Sequence, residues 1–87
     1  MSAYRHAPGT LWRRSGDRVV VNLPNSEDAL ILEGPASEAW TLLVEPWTES
    51  ELTTALAERY GERPQTVRAD VTTMLDQLRD AGALTSA

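Results

Sequence analysis

The chain has 87 residues and a formal net charge of −5, from eight basic and thirteen acidic side chains. This acidic balance disfavours duplex nucleic acid and anionic membranes as partners, because proteins bind both by neutralising phosphates. The sequence has no Cys, no Lys and one His, which excludes disulfides, thiolate and Schiff-base nucleophiles, and the usual zinc sites. We therefore expect a single, non-enzymatic domain without a cofactor or a metal.

Targeting and membrane-spanning segments are not predicted. The N-terminal segment contains no apolar stretch of the kind found in signal peptides, and the longest unbroken apolar run is Ala29–Leu32, far shorter than a bilayer span. The absence of Cys suits a reducing compartment, so we expect a cytoplasmic protein with no membrane partner. Residues 1–9 and the tail after Leu84 are small and polar, which predicts poorly ordered ends around an ordered core of about residues 10–85.

Short strands separated by turns are predicted in the first third of the chain. Thr10–Arg14 contains a Leu-Trp pair, Arg18–Leu23 contains three consecutive valines, and Asp28–Glu33 contains Leu-Ile-Leu. The polar clusters at 15–17 and 24–26 have the composition of hairpin turns. Together these segments predict an antiparallel meander of three strands.

Three helices are predicted to follow. They begin at Pro35, at the capping box Thr48–Glu51 and at Pro64, and they end at Pro46, Gly61 and Gly82. The resulting fold class is α+β: a three-stranded antiparallel sheet followed by three helices, with a topology like that of winged helix-turn-helix proteins.

The third predicted helix has two faces of interest. One face is apolar and consists of Val67, Val71, Met74, Leu75 and Leu78; a second face carries Arg68, Thr72, Leu75 and Arg79. Asp70, Asp76 and Asp80 give this helix the wrong charge for a DNA-recognition helix.

Candidate catalytic residues are few. His6, the single imidazole, lies on a segment that is predicted to be loose, so we interpret it as an exposed terminal His. Ser37 follows a predicted helix start, where a hydroxyl could be activated, but no base lies near it in the sequence. The many carboxylates are interpreted as solvated surface charge.

The third predicted strand is the feature that indicates a binding function. In a meander it lies at the edge of the sheet, and its apolar centre, Ala29–Leu32, is not blunted by Pro or Lys. Such an edge beside a long helix suits β-augmentation, in which an extended peptide adds a strand. Asp28 and Glu33 fit equally well as gatekeepers against aggregation, and the sequence pattern leaves the two interpretations even.

The ordered set of motifs resembles the PqqD-like family, the small peptide-recognition domains of ribosomally made peptide natural products (RiPPs). The resemblance covers about residues 10–85 and rests on Leu11–Arg13, Val19–Val21, Leu30–Leu32, Ala39-Trp40, Thr48–Leu52, Leu56, Arg59-Tyr60, Asp70-Val71, Leu75, Leu78 and Gly82. It implies a winged-helix-like fold that binds the leader region of a precursor peptide as an added antiparallel strand, without a cofactor.

The resemblance also implies a set of peptide-binding residues. Trp40, Leu52, Leu56 and Leu78 would be core residues. The strand that pairs with the peptide would be Asp28, Ala29, Leu30, Ile31, Leu32 and Glu33, and the facing helix would contribute Arg68, Val71, Thr72, Leu75, Asp76 and Arg79.

The resemblance implies a protein partner as well, and two subfamilies compete. The stand-alone leader-binding proteins of lasso-peptide pathways deliver their peptide to a cysteine-protease leader peptidase, whereas the quinone-cofactor members serve a radical-SAM enzyme. All eight basic residues are Arg, and this composition is closer to that of the lasso type. The alternative from another functional class is an acidic winged-helix regulator or adaptor. We expect a monomer, with a dimer through the exposed edge strand as the alternative.

In this interpretation the backbone of the edge strand provides pairing that does not depend on sequence, and Val71 and Leu75 line the cleft that gives specificity. Arg68 and Arg79 would bind acidic leader residues. Leu75→Arg is then expected to abolish leader binding while leaving the fold intact.

Overall fold

Two antiparallel sheets and three helices make up the part of the chain that the computed structural model describes, residues 2–24 and 26–87. The elements in chain order are β1 (Ala3–His6), β2 (Leu11–Ser15), β3 (Arg18–Asn22), β4 (Ala29–Glu33), α1 (Pro35–Leu42), β5 (Trp47–Thr48), α2 (Glu49–Tyr60), α3 (Pro64–Asp80) and β6 (Leu84–Ser86).

The larger sheet contains the three predicted strands in the order β2-β3-β4. Val20 of β3 lies opposite Arg13 on one side and Ile31 on the other. The side chains alternate, so Val19 and Val21 enter the core while Ile31 faces outward. The predicted α+β class, with its three-stranded sheet and three helices, is confirmed.

A two-residue turn joins β2 to β3. Ser15 pairs with Arg18, and Gly16 between them has φ +64° while Asp17 does not enter the left-handed region. Glycine at the first central position with positive φ is the requirement of a type II′ hairpin turn. This turn fixes the register of the sheet. The turn predicted at 24–26 includes Asn25, which lies outside the described residues.

The second sheet was not predicted, and it orders both ends of the chain. Strand β1 lies between β5 and β6, so that Tyr4 is opposite Trp47 on one side and Ser86 on the other. The prediction of poorly ordered ends is therefore wrong for Ala3–His6 and, in the tail after Leu84, for Thr85 and Ser86 of β6. Backbone pairing between segments that are remote in sequence holds these strands, and Leu84 of β6 is buried in the core.

The sequence suggested that His6 is an exposed terminal residue, and this interpretation is wrong. Its ring stacks on the Trp40 ring at a centroid distance of 3.8 Å and meets Trp12 edge-on at 5.7 Å. His6 Nε2 donates a hydrogen bond to the Trp40 carbonyl oxygen over 2.8 Å. The imidazole thus joins the N-terminal strand to α1 and serves the fold.

One core lies between the larger sheet and the three helices. The buried members are Val19, Val21, Ala39, Trp40, Leu43, Leu52, Leu56, Val71, Leu75, Leu78, Ala83 and Leu84. Within the described residues, no helix has the length and apolar character needed to cross a membrane.

The ends of α2 are formed as predicted. Thr48 Oγ1 accepts a hydrogen bond from the Glu51 N–H over 3.1 Å, and the Glu51 carboxylate accepts one from the Thr48 N–H over 2.9 Å. This reciprocal pair is the predicted capping box. Gly61 ends the helix with φ +65°, a conformation that glycine adopts without strain.

The environment of His6 predicts a pH-dependent stability. Burial lowers the pKa of His6 below its ordinary value of 6.5, and the hydrogen bond to Trp40 opposes this shift in part. The unfolded state therefore binds more protons than the folded state as the pH falls through 6.5 toward the lower folded pKa. We expect the urea midpoint to decrease between about pH 7.5 and about pH 5.5.

The matched variant is His6→Asn, which retains an N–H donor but does not titrate in this range. Its urea midpoint should change less over the same pH interval. An equal change in the two proteins would show that His6 does not cause the pH dependence.

Candidate functional site

Strand β4 is an edge strand, as predicted. It pairs with β3 on one side, and the sheet order places no described strand on its other side. Leu30 and Leu32 face inward and pack against the core, whereas Ala29, Ile31 and Glu33 are exposed, Ile31 to 53%. A row of backbone groups on the free side of β4 is therefore available for pairing.

The hairpin register shows which backbone groups are free. In a two-residue hairpin the closing pair, here Ser15 and Arg18, exchanges both hydrogen bonds, and bonded pairs then alternate along the ladder. Val19 and Val21 therefore direct their backbone groups toward β4, where they lie opposite Leu32 and Leu30. It follows that the N–H and C=O groups of Ala29, Ile31 and Glu33 point to the free side.

Two separate hollows lie near the ends of this free edge, and the interval between β4 and α3 that separates them is called the groove. Helix α3 packs mainly on α2 and also contacts β6. At one end of β4 a cleft of about 530 Å³ brings Glu33 together with Val67 and Val71 of α3. At the other end, a smaller cavity brings Ser26, just before β4, together with Gly82, just after α3. Strand β4 and helix α3 thus run in opposite directions along the two sides of the groove.

The cleft has an apolar floor and an acidic rim. The floor contains the nearly fully buried Leu56 and Val71, and Val67 and Met74 are half-buried beside it. Tyr60, 42% exposed, closes one wall. The remaining lining residues are Pro35, Ala36, Thr66 and the carboxylate-bearing Glu33, Glu62 and Asp70.

The structure brings only some of the sequence-predicted site residues to the cleft. Of the predicted strand residues, Glu33 lines it, and Ala29–Leu32 extend along the free edge next to it. Asp28 precedes β4 and is exposed. Of the predicted helix residues, Val71 lines the cleft, whereas Arg68, Thr72, Asp76 and Arg79 are exposed and do not.

Leu75 lies in the core and does not line the cleft. It is 2% exposed and packs with the buried residues of the sheet and the helices. The expectation that Leu75→Arg leaves the fold intact is wrong, because a guanidinium at this position would be buried without a partner.

The expected charge contacts also change. Arg79 Nη2 donates to Asp76 Oδ1 over 3.0 Å on the surface of α3, so this arginine is engaged within its own helix. The charged side chains that line the cleft are all carboxylates.

Sequence reasoning missed Tyr60, Glu62, Val67, Asp70 and Met74 as lining residues. Val67, Asp70 and Met74 recur at the spacing of one helical face, so the periodicity of α3 contained this information. The pattern alone did not indicate which flank of the apolar stripe faces the groove.

Among the described residues, no group of three or more His, Asp or Glu side chains is arranged to hold a metal ion. The groove is thus equipped with backbone groups, apolar surface and carboxylates.

Comparison with known proteins gives the family. The model of the family described as coenzyme PQQ synthesis protein D (PqqD) matches residues 18–84, more than half of the chain. The chain belongs to the PqqD family. This match includes β4 and all of α3, the two elements of the groove, and it confirms the resemblance seen in the sequence. Among curated proteins, none matches this PqqD-family chain.

Two solved structures share the PqqD fold of this chain. The structure of TbiB1 in complex with the TbiA(beta) leader peptide is 22% identical, with a TM-score of 0.84 over 92% of this chain and 93% of that one. The PqqD truncation of Methylobacterium extorquens PqqCD, described as a functional, stand-alone RiPP recognition element, is 24% identical, with a TM-score of 0.77 over 95% and 88%.

The positions of Leu75 and Met74 predict different costs of truncation. Leu75→Ala should lower the free energy of unfolding by about 2–5 kcal/mol, because it leaves a cavity in the core. Met74→Ala, at the half-buried wall of the cleft, should cost less than half as much. Urea denaturation of the two variants measures both values. Equal costs would contradict the assignment of Leu75 to the core and of Met74 to the cleft.

Proposed function

We propose that this protein binds the leader region of a ribosomally synthesised precursor peptide as an added β-strand and delivers it to a processing enzyme. The observation that carries the proposal is the free edge of β4, with its outward N–H and C=O groups, beside a cleft of about 530 Å³. Membership of the PqqD family and the fold shared with a leader-peptide complex support it.

The backbone of β4 is the first part of the proposed site. A peptide strand that pairs antiparallel to β4 would satisfy the outward groups of Ala29, Ile31 and Glu33. Each such hydrogen bond contributes only about 1 kcal/mol net, since the same groups bond to water in the free protein. Strand pairing therefore sets the position of the peptide without choosing its sequence.

The cleft is the second part, and it supplies selectivity. A residue directly opposite Leu30 or Leu32 in an added strand points to the same side of the sheet as these leucines, toward the helices. Every second side chain of the peptide thus faces α3. An apolar side chain that covers Val67 and Met74 removes apolar surface from water, at about 25 cal/mol per Å².

For the processing enzyme we propose a leader peptidase of the cysteine-protease type, as in lasso-peptide pathways. In this role the protein is a carrier that acts as a monomer and contributes no catalytic group. A dimer formed through the free β4 edge would compete with the peptide, because one edge accepts one added strand. The proposed site of action is the cytoplasm.

A second candidate function has a specific observation in its favour. The matching family model is named for coenzyme PQQ synthesis, and one of the similar structures is a PqqD domain. In that role the same groove would present a peptide to a radical-SAM enzyme. The two functions differ in the precursor that binds. An acidic regulator is disfavoured by the net charge of −5, which opposes binding to DNA.

Removal of one outward N–H tests strand addition. Ile31→Pro deletes an N–H that makes no bond to β3, and proline is tolerated on the free side of an edge strand. We expect this variant to remain folded by circular dichroism. It should bind a fluorescein-labelled leader peptide, taken from a precursor gene next to this gene, at least about tenfold more weakly in fluorescence polarisation, because the added strand loses a hydrogen bond and its close approach.

The matched control is Ile31→Thr, which alters the same exposed side chain but keeps the N–H and suits a strand. Its affinity should stay within about threefold of the wild type. Equal affinity of the proline variant and the threonine variant would contradict strand addition at β4. If the wild-type protein does not bind the leader peptide, the leader role itself is wrong.

A further inference from the structure

The rim of the cleft has a one-sided charge. Three of its lining residues, Glu33, Glu62 and Asp70, carry carboxylates, and no lining residue is basic among the residues described. These three come from three different elements: the end of β4, the loop before α3 and the first half of α3. The fold itself therefore brings the carboxylates to one place, beside an apolar floor.

Of these three carboxylates, one forms an ion pair among the described residues and two do not. Glu33 Oε1 lies 3.3 Å from Arg18 Nη2, in a pair that is exposed on both sides. Within residues 2–24 and 26–87, Glu62 and Asp70 form no ion pair.

The neighbouring arginines do not change this result. Arg14 and Arg59 bind Glu38, and Arg79 binds Asp76. Arg63 and Arg68 are close in sequence to Glu62 and Asp70, but both are exposed, and neither lines the cleft. The open cleft thus presents negative charge from Glu62 and Asp70.

An added peptide would change the environment of these charges. A peptide strand on β4 covers the cleft and removes water from its rim, which makes an unpaired carboxylate costly and a nearby cation favourable. A peptide carboxylate at the same place would be repelled. The cleft is therefore complementary to a side chain that is positively charged, next to one that is apolar.

We propose that Glu62 and Asp70 determine specificity and select peptides that place Lys or Arg beside an apolar residue at the Glu33 end of β4. This inference rests on the proposed function, since it describes what the same groove selects. For a peptide antiparallel to β4, the Glu33 end receives the N-terminal half of the paired segment. The proposed selection of Lys or Arg replaces the expectation that Arg68 and Arg79 bind acidic leader residues.

The test uses a display library of random peptides long enough to span β4. The wild-type protein should enrich peptides with Lys or Arg next to an apolar residue in the N-terminal half of the segment that pairs with β4. Selection on Asp70→Arg, and separately on Glu62→Arg, should lose this enrichment and recover Asp or Glu at that place. A wild-type peptide containing Arg should bind to Asp70→Arg about tenfold more weakly, and its affinity for the wild type should fall with added salt.

The matched control is Glu58→Arg, which makes the same change in charge at an exposed α2 position that does not line this cleft. It should retain the wild-type preference. A wild-type selection without Lys or Arg enrichment, or an unchanged preference in both Asp70→Arg and Glu62→Arg, would overturn the charge-selection proposal.

The Ile31→Pro variant separates the two proposals. If the selected peptides lose affinity for Ile31→Pro but show no charge preference, strand addition stands and charge selection is wrong. If the selected peptides bind Ile31→Pro and the wild type with equal affinity, strand addition at β4 is wrong, and charge selection in that pairing is wrong with it. The same conclusion follows if selection on the wild type recovers no peptides.

Discussion

The free side of β4 is the constraint on which the rest of the site depends. Backbone N–H and C=O groups need partners wherever water is removed, and the groups of Ala29, Ile31 and Glu33 have no strand beside them in the described sheet. The type II′ turn at Gly16 determines which groups these are. It fixes which residues of β2 and β3 exchange hydrogen bonds, and the pairing of β3 with β4 then fixes the same pattern in β4. A local turn thus determines the pattern that an incoming strand must match.

The helices give this edge its second wall. Because α3 packs mainly on α2, the side of α3 that faces β4 stays open. The interval between α3 and β4 is therefore a groove and not part of the core. The small sheet of β1, β5 and β6 holds the chain ends together near the end of α3, and the His6–Trp40 stack joins β1 to α1. The groove is therefore framed by elements whose positions are fixed from both termini. In the proposed function, little of the protein's own backbone would have to become ordered when a flexible peptide binds.

Local patterns predicted the elements that depend on near neighbours in sequence. The three-valine run predicted β3, and the Thr48–Glu51 capping box predicted the start of α2. The pairing of Tyr4 with Ser86 was not predictable in this way, since each segment is short and polar and only the folded chain brings them together. In α3 the apolar stripe indicated the buried side, but assigning Leu75 to the core and Met74 to the cleft required the positions of α2 and β4.

Amide hydrogen exchange by NMR tests strand addition most directly. In the free protein the amides of Leu30 and Leu32 should be protected by β3, whereas those of Ala29, Ile31 and Glu33 should exchange quickly. After saturation with the leader peptide, all five should be protected, because the new strand covers the outward groups. Unchanged exchange at Ala29, Ile31 and Glu33 in the presence of bound peptide would contradict the account.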